Sequence, residues 1–259
     1  MLMDPFGFKI AAFVVVFGTG LVGGSLALRL AASTSGQRLF SLGNAFAGGV
    51  FLGAGLIHML PDAVAGVGTL ESGTDYPLAE LVCAAGFVAA LALGKVVVNE
   101  HALAGAGASG GLYPYMLTVV LSVHSLIAGI ALGAETTVSM AAIILFAILA
   151  HKGSAAFALG VSLLRAGIPA GRVRRIVLLF SITTPAGIML GAGLTQLMTG
   201  AGEALFEAGF DALAAGTFLY VAISHIIDEE FSSSAGDKAA KAMLLVCGLG
   251  LMALLALWL

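Results

Sequence analysis

Eight stretches of about twenty residues run almost without charge, near 8–29, 42–61, 78–98, 114–134, 138–164, 174–198, 205–227 and 240–259. A helix needs roughly 20 mostly apolar residues to cross the hydrocarbon core of a bilayer. Within that core every backbone N–H and C=O must be satisfied inside the protein, which leaves helices and closed barrels. The runs are continuous rather than alternating and about twice the length of a barrel strand, which argues against strands. The chain is therefore predicted to be an all-α integral membrane protein with eight transmembrane helices. Composition agrees: 60% of residues are hydrophobic, 10% are charged and mean hydropathy is +1.09, whereas a soluble domain carries about a quarter charged residues. The 36 glycines suit helices that approach closely in lipid. Connections are short, so residues 1–259 are expected to form a single transmembrane domain. The lipid bilayer is its first partner, and nothing points to nucleic acid.

The first apolar run does not read as a secretory signal, because Asp4 and Lys9 both precede it closely and it is longer than a usual signal core. Cys83 and Cys247 fall inside predicted spans, which suggests buried thiols and no disulfide framework. With the N-terminus placed outside, Arg29, Arg38, Lys95, Arg165, Arg172, Arg174, Arg175, Lys238 and Lys241 all fall on the cytoplasmic side. Lys9 lies at the outer edge and Lys152 inside a span. The expected location is a cell membrane, with both termini outside. The outer face collects Asp4, Asp62, Glu71, Asp75, Glu80, Glu135, Glu203, Glu207 and Asp211, an acidic mouth that would concentrate cations.

One phrase is written twice. "GGVFLGAGLIHMLPDA" in the second run returns 167 positions later as "AGTFLYVAISHIIDEE", aligning Gly49 with Gly216, Phe51 with Phe218, His58 with His225 and Asp62 with Glu229. At the same offset Gly20 and Gly24 meet Gly187 and Gly191. Runs one to three thus repeat as six to eight. Five crossings separate the copies, so the halves run in opposite directions. Inverted repeats of this kind characterise transporters that bind substrate near the midplane.

The inversion puts His58 toward the outer end of its span and His225 toward the inner end. His124 lies ten residues into span four, roughly 15 Å deep and near the midplane. His151 is about halfway along span five, and His101 sits in a short inner loop. A core histidine bonded to a backbone carbonyl is the alternative for any one of these. Two mid-depth histidines on consecutive helices point instead to a metal, since neutral imidazole suits zinc and related divalent ions. Lys152, beside His151, is either a structural cation or a fixed charge where a second metal would otherwise bind.

Together, "GGVFLGAGLIHMLPDA", "HSLIAGIALGAE", "HKGSAAFALGVSLLR", "SITTPAGIMLGAGL" and "AGTFLYVAISHIIDEEF" resemble the ZIP (Zrt/Irt-like) divalent metal transporters over essentially the whole chain. The resemblance implies a 3+2+3 arrangement of helices with both termini outside, and suggests a homodimer, which is common in that family. It also implies a transport site between spans four and five at His124, Ser125 and His151. Lys152 resembles a family variant in which lysine replaces a second-metal carboxylate. Many relatives carry a glutamate four residues after the span-four histidine or, failing that, four after the span-five histidine. Here those places are Ala128 and Ala155. The site would lack its anionic ligand.

The expected function is uptake of divalent transition metal ions into the cytoplasm, zinc first, with iron, manganese or cadmium as other candidates. His58, Met59 and Asp62 would form the entrance, with Glu135 guarding it. His124, Ser125 and His151 would hold the ion at mid-depth. His225, Asp228, Glu229 and Glu230 would form the exit, although the run "DEE" reads equally as a solvated helix end. Zn²⁺ is thus expected as substrate, and no cofactor is expected because nothing resembles a nucleotide-binding loop. Enzyme activity is not expected, because HExxH and a nucleophile motif are both missing. The alternative is a ZIP-like membrane protein that has lost transport, or shifted substrate, with its site carboxylates.

Overall fold

The computed structural model describes residues 4–33, 36–68, 76–92, 113–194, 201–232 and 237–257. The described helices are α1 (Pro5–Ala31), α2 (Gly36–Gly53), α3 (Leu60–Gly68), α4 (Leu78–Ala92), α5 (Tyr113–Ala134), α6 (Val138–Arg165), α7 (Ala170–Leu194), α8 (Ala201–Tyr220), α9 (Asp228–Ser232) and α10 (Lys238–Leu255). A π turn, Ala54–Met59, joins α2 to α3 without a break, and a second, Val221–Ile227, joins α8 to α9. The fold is all-helical. Seven of the described helical runs are long and apolar enough to cross a bilayer, and α4 is a shorter apolar helix. The protein is a multi-pass membrane protein.

Local chemistry sets several helix ends. Asp4 accepts a hydrogen bond from the Gly7 N–H at 3.3 Å ahead of Pro5, whose fixed φ and missing N–H suit the first helical position. Thr137 caps α6 in the same way through the Met140 N–H. At the other end of α6, Gly167 adopts φ 74°, its N–H donating to Leu164 and that of Ile168 to Leu163. This is the Schellman pattern, followed by Pro169, and it turns the chain tightly into α7.

Packing follows the repeat. Helix α1 lies against α6 and α7, and its counterpart α7 lies against α5 and α1. The α2–α3 unit packs with α10, just as its counterpart α8–α9 packs with α4. The two π turns fall at the same register 167 positions apart. Phe51 and its repeat mate Phe218, both fully buried, meet edge to face at 5.0 Å between ring centroids, which places them on the pseudo-two-fold axis.

Glycine contacts repeat as well. Gly49 faces the carbonyl of Leu245, and Gly216 faces that of Cys83; Gly248 faces Phe46, and Gly86 faces Leu213. Each of these residues maps onto its mate by an offset of 167 in the first two helices of the repeat and 162 in the third. A Cβ at Gly49 or Gly216 would overlap the facing carbonyl oxygen. Helices in lipid associate through such backbone approach because lipid is as apolar as the side chains. Accordingly Val22, Val88, Phe146, Leu179 and Val246 stay exposed on the outside of the bundle. Both cysteines are free, Cys83 buried and Cys247 exposed.

The bundle has two chemically different ends. Asp4, Asp62, Glu80, Glu135 and Asp211 lie at one, and Arg29, Arg38, Arg165, Arg172, Arg174, Arg175, Lys238 and Lys241 lie at the other. Glu71, Asp75, Lys95 and His101 lie outside the described residues, as do the side chains of Glu203 and Glu207.

Gly49→Ala and Gly216→Ala should each lower stability by about 1–3 kcal/mol through overpacking. Gly250→Ala, with nothing near its Cβ position, should be neutral or slightly stabilising. Thermal denaturation of the detergent-solubilised variants measures all three.

Candidate metal site

Three helical units bring three histidines together. His124 comes from α5, His151 from α6 and His58 from the first π turn. The His124 and His151 ring centroids are 5.6 Å apart, and those of His58 and His151 are 6.5 Å apart. Two imidazoles sharing a zinc ion at ~2.0–2.1 Å per nitrogen have ring centres on the order of 5 Å apart. The first pair is near that spacing and the second is wider. Among the described residues, no three His, Cys, Asp or Glu side chains are converged closely enough to hold a metal ion.

His124 and His151 are 6% and 5% exposed. Both ring nitrogens of His124 are buried without a hydrogen-bond partner among the described residues. Buried polar groups are paired in the great majority of cases, and an orphaned one costs ~1–3 kcal/mol. The His124 ring is held edge to face against Phe218 at 4.9 Å.

A cavity of about 340 Å³ reaches the histidines from the acidic end. His58, Met59, Asp62, His124, Ala128, His151 and Asp211 are in its wall. Asp62 Oδ2 lies 2.8 Å from His58 Nδ1, one turn further along the helix. Met59 is almost fully buried. Asp211, on α8, is also in the cavity wall. It had been legible only as one of many outer acids.

The remaining predicted residues are placed elsewhere. Ser125 turns away from the cavity and accepts a hydrogen bond from Lys152 Nζ at 3.1 Å. Lys152, 1% exposed, also donates to the Phe180 carbonyl at 3.0 Å and stands 3.6 Å above the Phe180 ring centroid. The Phe180 carbonyl takes a second side-chain donor, Thr183 Oγ1, at 2.7 Å. The lysine therefore ties α5, α6 and α7 together beside the cavity. Glu135 is half-buried past the end of α5 and outside the cavity wall.

His225, in the second π turn, borders a gap of only about 10 Å³ with Asn44, Ser162 and Glu229. Glu229 pairs with Arg165 at 2.9 Å. Glu230, its side chain 1% exposed, takes Arg165 at 2.6 Å, Lys241 at 2.9 Å, the Asn44 amide at 2.9 Å and the Ser41 hydroxyl. Asp228 accepts a hydrogen bond from the Ser232 hydroxyl and faces solvent. From the sequence, Arg165 and Lys241 stand out only as two of the cytoplasmic-side basic residues. Their pairing spans 65 residues in one case and 11 in the other, a separation that carries no local sequence signal.

Two groups of comparisons bear on this arrangement. A sequence model of the ZIP zinc transporter family matches residues 6–102 and 98–256. The chain is 30% identical to zinc transporter ZIP1 of Takifugu rubripes over 96% of this chain and 97% of that one. It is 32% identical to human zinc transporter ZIP1 over 85% and 79%, and 30% identical to mouse zinc transporter ZIP2 over 88% of each. The chain belongs to the ZIP zinc transporter family.

Within this ZIP protein the two alanines that stand where a carboxylate was expected are not equivalent. Ala128 is in the cavity wall one turn from His124, while Ala155 is buried in the apolar core away from the cavity. Ala128→Glu should add an anionic ligand beside His124 and tighten zinc binding about tenfold, ~1.4 kcal/mol. Ala155→Glu should instead bury an unpaired charge and cost about 3–5 kcal/mol. Calorimetric zinc titration and thermal unfolding of the two purified variants check the contrast.

Proposed function

We propose that this ZIP protein carries divalent transition metal ions, zinc foremost, through the bundle by way of the three-histidine cluster. The observation that carries this reading is the placement of His58, His124 and His151 at the floor of a water-accessible cavity. The three come from three helical units, and the ring nitrogens of His124 have no hydrogen-bond partner among the described residues. Residues 1–259 act as one transporter unit. By the bias of lysine and arginine, the Arg165 end faces the cytoplasm and the acidic end faces outward, with both termini outside.

In the conformation described, the cavity is open to the acidic end. Asp62 and Asp211 supply negative charge at the mouth, and the field of the outer acids raises local cation concentration. The ion exchanges part of its water for imidazole nitrogens from His124 and His151, with His58 approaching as a third ligand. Neutral imidazoles do not offset a divalent charge, so the Asp62 carboxylate beside His58 is the nearest counter-charge. Weak capture suits a carrier, because release must follow. Beyond the cluster the inner end is shut by the Arg165, Glu229, Glu230 and Lys241 ion pairs. Passage therefore requires that end to open. An inside-negative potential of 100 mV favours inflow of a divalent cation by roughly 4.6 kcal/mol.

One observation favours a second reading. With Ala128 and Ala155 in place of carboxylates, the protein would be a ZIP member that no longer moves metal or moves another ion.

Zinc-isotope uptake into proteoliposomes separates the two. Uptake by the parent protein should fall at least about tenfold in His124→Ala and in His151→Ala. Parental uptake in both single variants would remove the cluster from the pathway. A parent that is inactive until Ala128→Glu is introduced would establish the second reading.

A further inference from the structure

The repeat places the same small unit at both ends of the bundle. In the first copy a π-turn histidine, His58, is followed one turn later by Asp62; in the second, His225 is followed by Glu229. The first unit faces the 340 Å³ cavity. The second faces a gap of about 10 Å³, room for a single water and far too little for a hydrated ion. What differs between the ends is a cation. Among the described residues, no lysine or arginine pairs with Asp62. Glu229 and Glu230 are bridged by the two terminal nitrogens of Arg165, at 2.9 and 2.6 Å. Arg165 is the last residue of α6, the helix that carries His151. The last turn of α5, which carries His124, leads instead to Glu135.

We propose that Arg165 is the latch of an inner gate: its guanidinium occupies the Glu229 and Glu230 carboxylates in this outward-open state and must leave them for the inner mouth to open. The charge balance supports a latch. Arg165 and Lys241 neutralise Glu229 and Glu230 as a set, and Glu230 keeps Lys241, Asn44 and Ser41 when the arginine departs. Glu230 thus remains satisfied in the low-dielectric interior, while the half-exposed Glu229 becomes free beside His225. A departing guanidinium vacates a carboxylate at the point where a divalent ion leaving the histidine cluster needs one. Because Arg165 ends the His151 helix, movement of that helix and release of the latch are mechanically the same event.

This inference rests on the acidic end being the entrance, but its test requires no metal. Start from a background carrying Cys83→Ala and Cys247→Ala, and add one reporter. Ser162→Cys probes the inner gap and Ala131→Cys probes the cavity. Label each reporter in oriented proteoliposomes with a membrane-impermeant maleimide applied from the reporter's own face. Introducing Arg165→Gln should raise the Ser162→Cys rate about fivefold and lower the Ala131→Cys rate about twofold, the reciprocal signature of a shifted two-state equilibrium. An unchanged Ser162→Cys rate overturns the proposal, as does a rise at both reporters, which marks a loosened bundle. If Arg165→Gln yields no monodisperse protein, Glu229→Gln decides by the same two rates, since it removes one arm and leaves Glu230 paired. Reciprocal labelling together with a parent that moves no zinc would defeat the transport reading and leave the latch standing.

Discussion

The structure depends on backbones that touch. In lipid, burying an apolar side chain against another gains little over leaving it in contact with acyl chains, so helices are held by close van der Waals approach. The four glycine-to-carbonyl contacts of Gly49, Gly86, Gly216 and Gly248 meet that requirement twice over, once in each half. They bind α10 to the α2–α3 unit and α4 to the α8–α9 unit as two blocks with the same internal geometry. Phe51 against Phe218 marks where the blocks meet. Helices α5 and α6, which carry the mid-depth histidines, are anchored chiefly to α7 and α1. The two mid-depth histidines therefore sit on one set of helices, and His58 sits on the other, in the α2–α3 unit.

Given that frame, the chemistry of the cluster is decided by what is absent from its wall. Three imidazoles lie in that wall. A permanently ionised carboxylate among them, in the empty protein, would cost several kcal/mol of desolvation unless paired. With Ala128 at that place, the cation-free cavity is electrically cheap to maintain and the counter-charge stays at the mouth, on Asp62 and Asp211. Lys152 fits the same logic. Its charge is balanced by dipoles and a ring face on the far side of α6, so it ties three helices together without entering the cavity wall.

Much of this was legible in the sequence for identifiable reasons. Hydrophobic runs of bilayer length fix helices, and a gapless offset of 167 fixes the internal symmetry. His58, expected at the entrance, shares one cavity wall with Asp62, His124 and His151. The run of apolar residues fades near position 61, yet the helix continues to Gly68, so His58 lies about 15 Å short of its end. Hydropathy locates the oily stretch, and a helix does not stop where the oil does. Ser125 is one residue from His124, which on a helix is a turn of ~100°, enough to send its hydroxyl to Lys152. The π turns left no signature: Pro61 follows one, but the aligned residue after the other is Asp228.

The two ends of the repeat show why near-identical sequence need not produce identical chemistry. Both copies write a histidine, one helical turn and a carboxylate, and both fold into the same turn. An isolated copy would predict two equivalent ion sites. The neighbouring helices break the equivalence, since α6 ends in a cation and α5 leads to an acid. Among the described residues, Asp62 is therefore met only by its own histidine, while Glu229 is bridged by Arg165. The backbone of the two units is symmetric and their charged surroundings are not. In the proposed transport cycle the halves exchange shapes while the acidic end and the arginine-bridged end stay distinct.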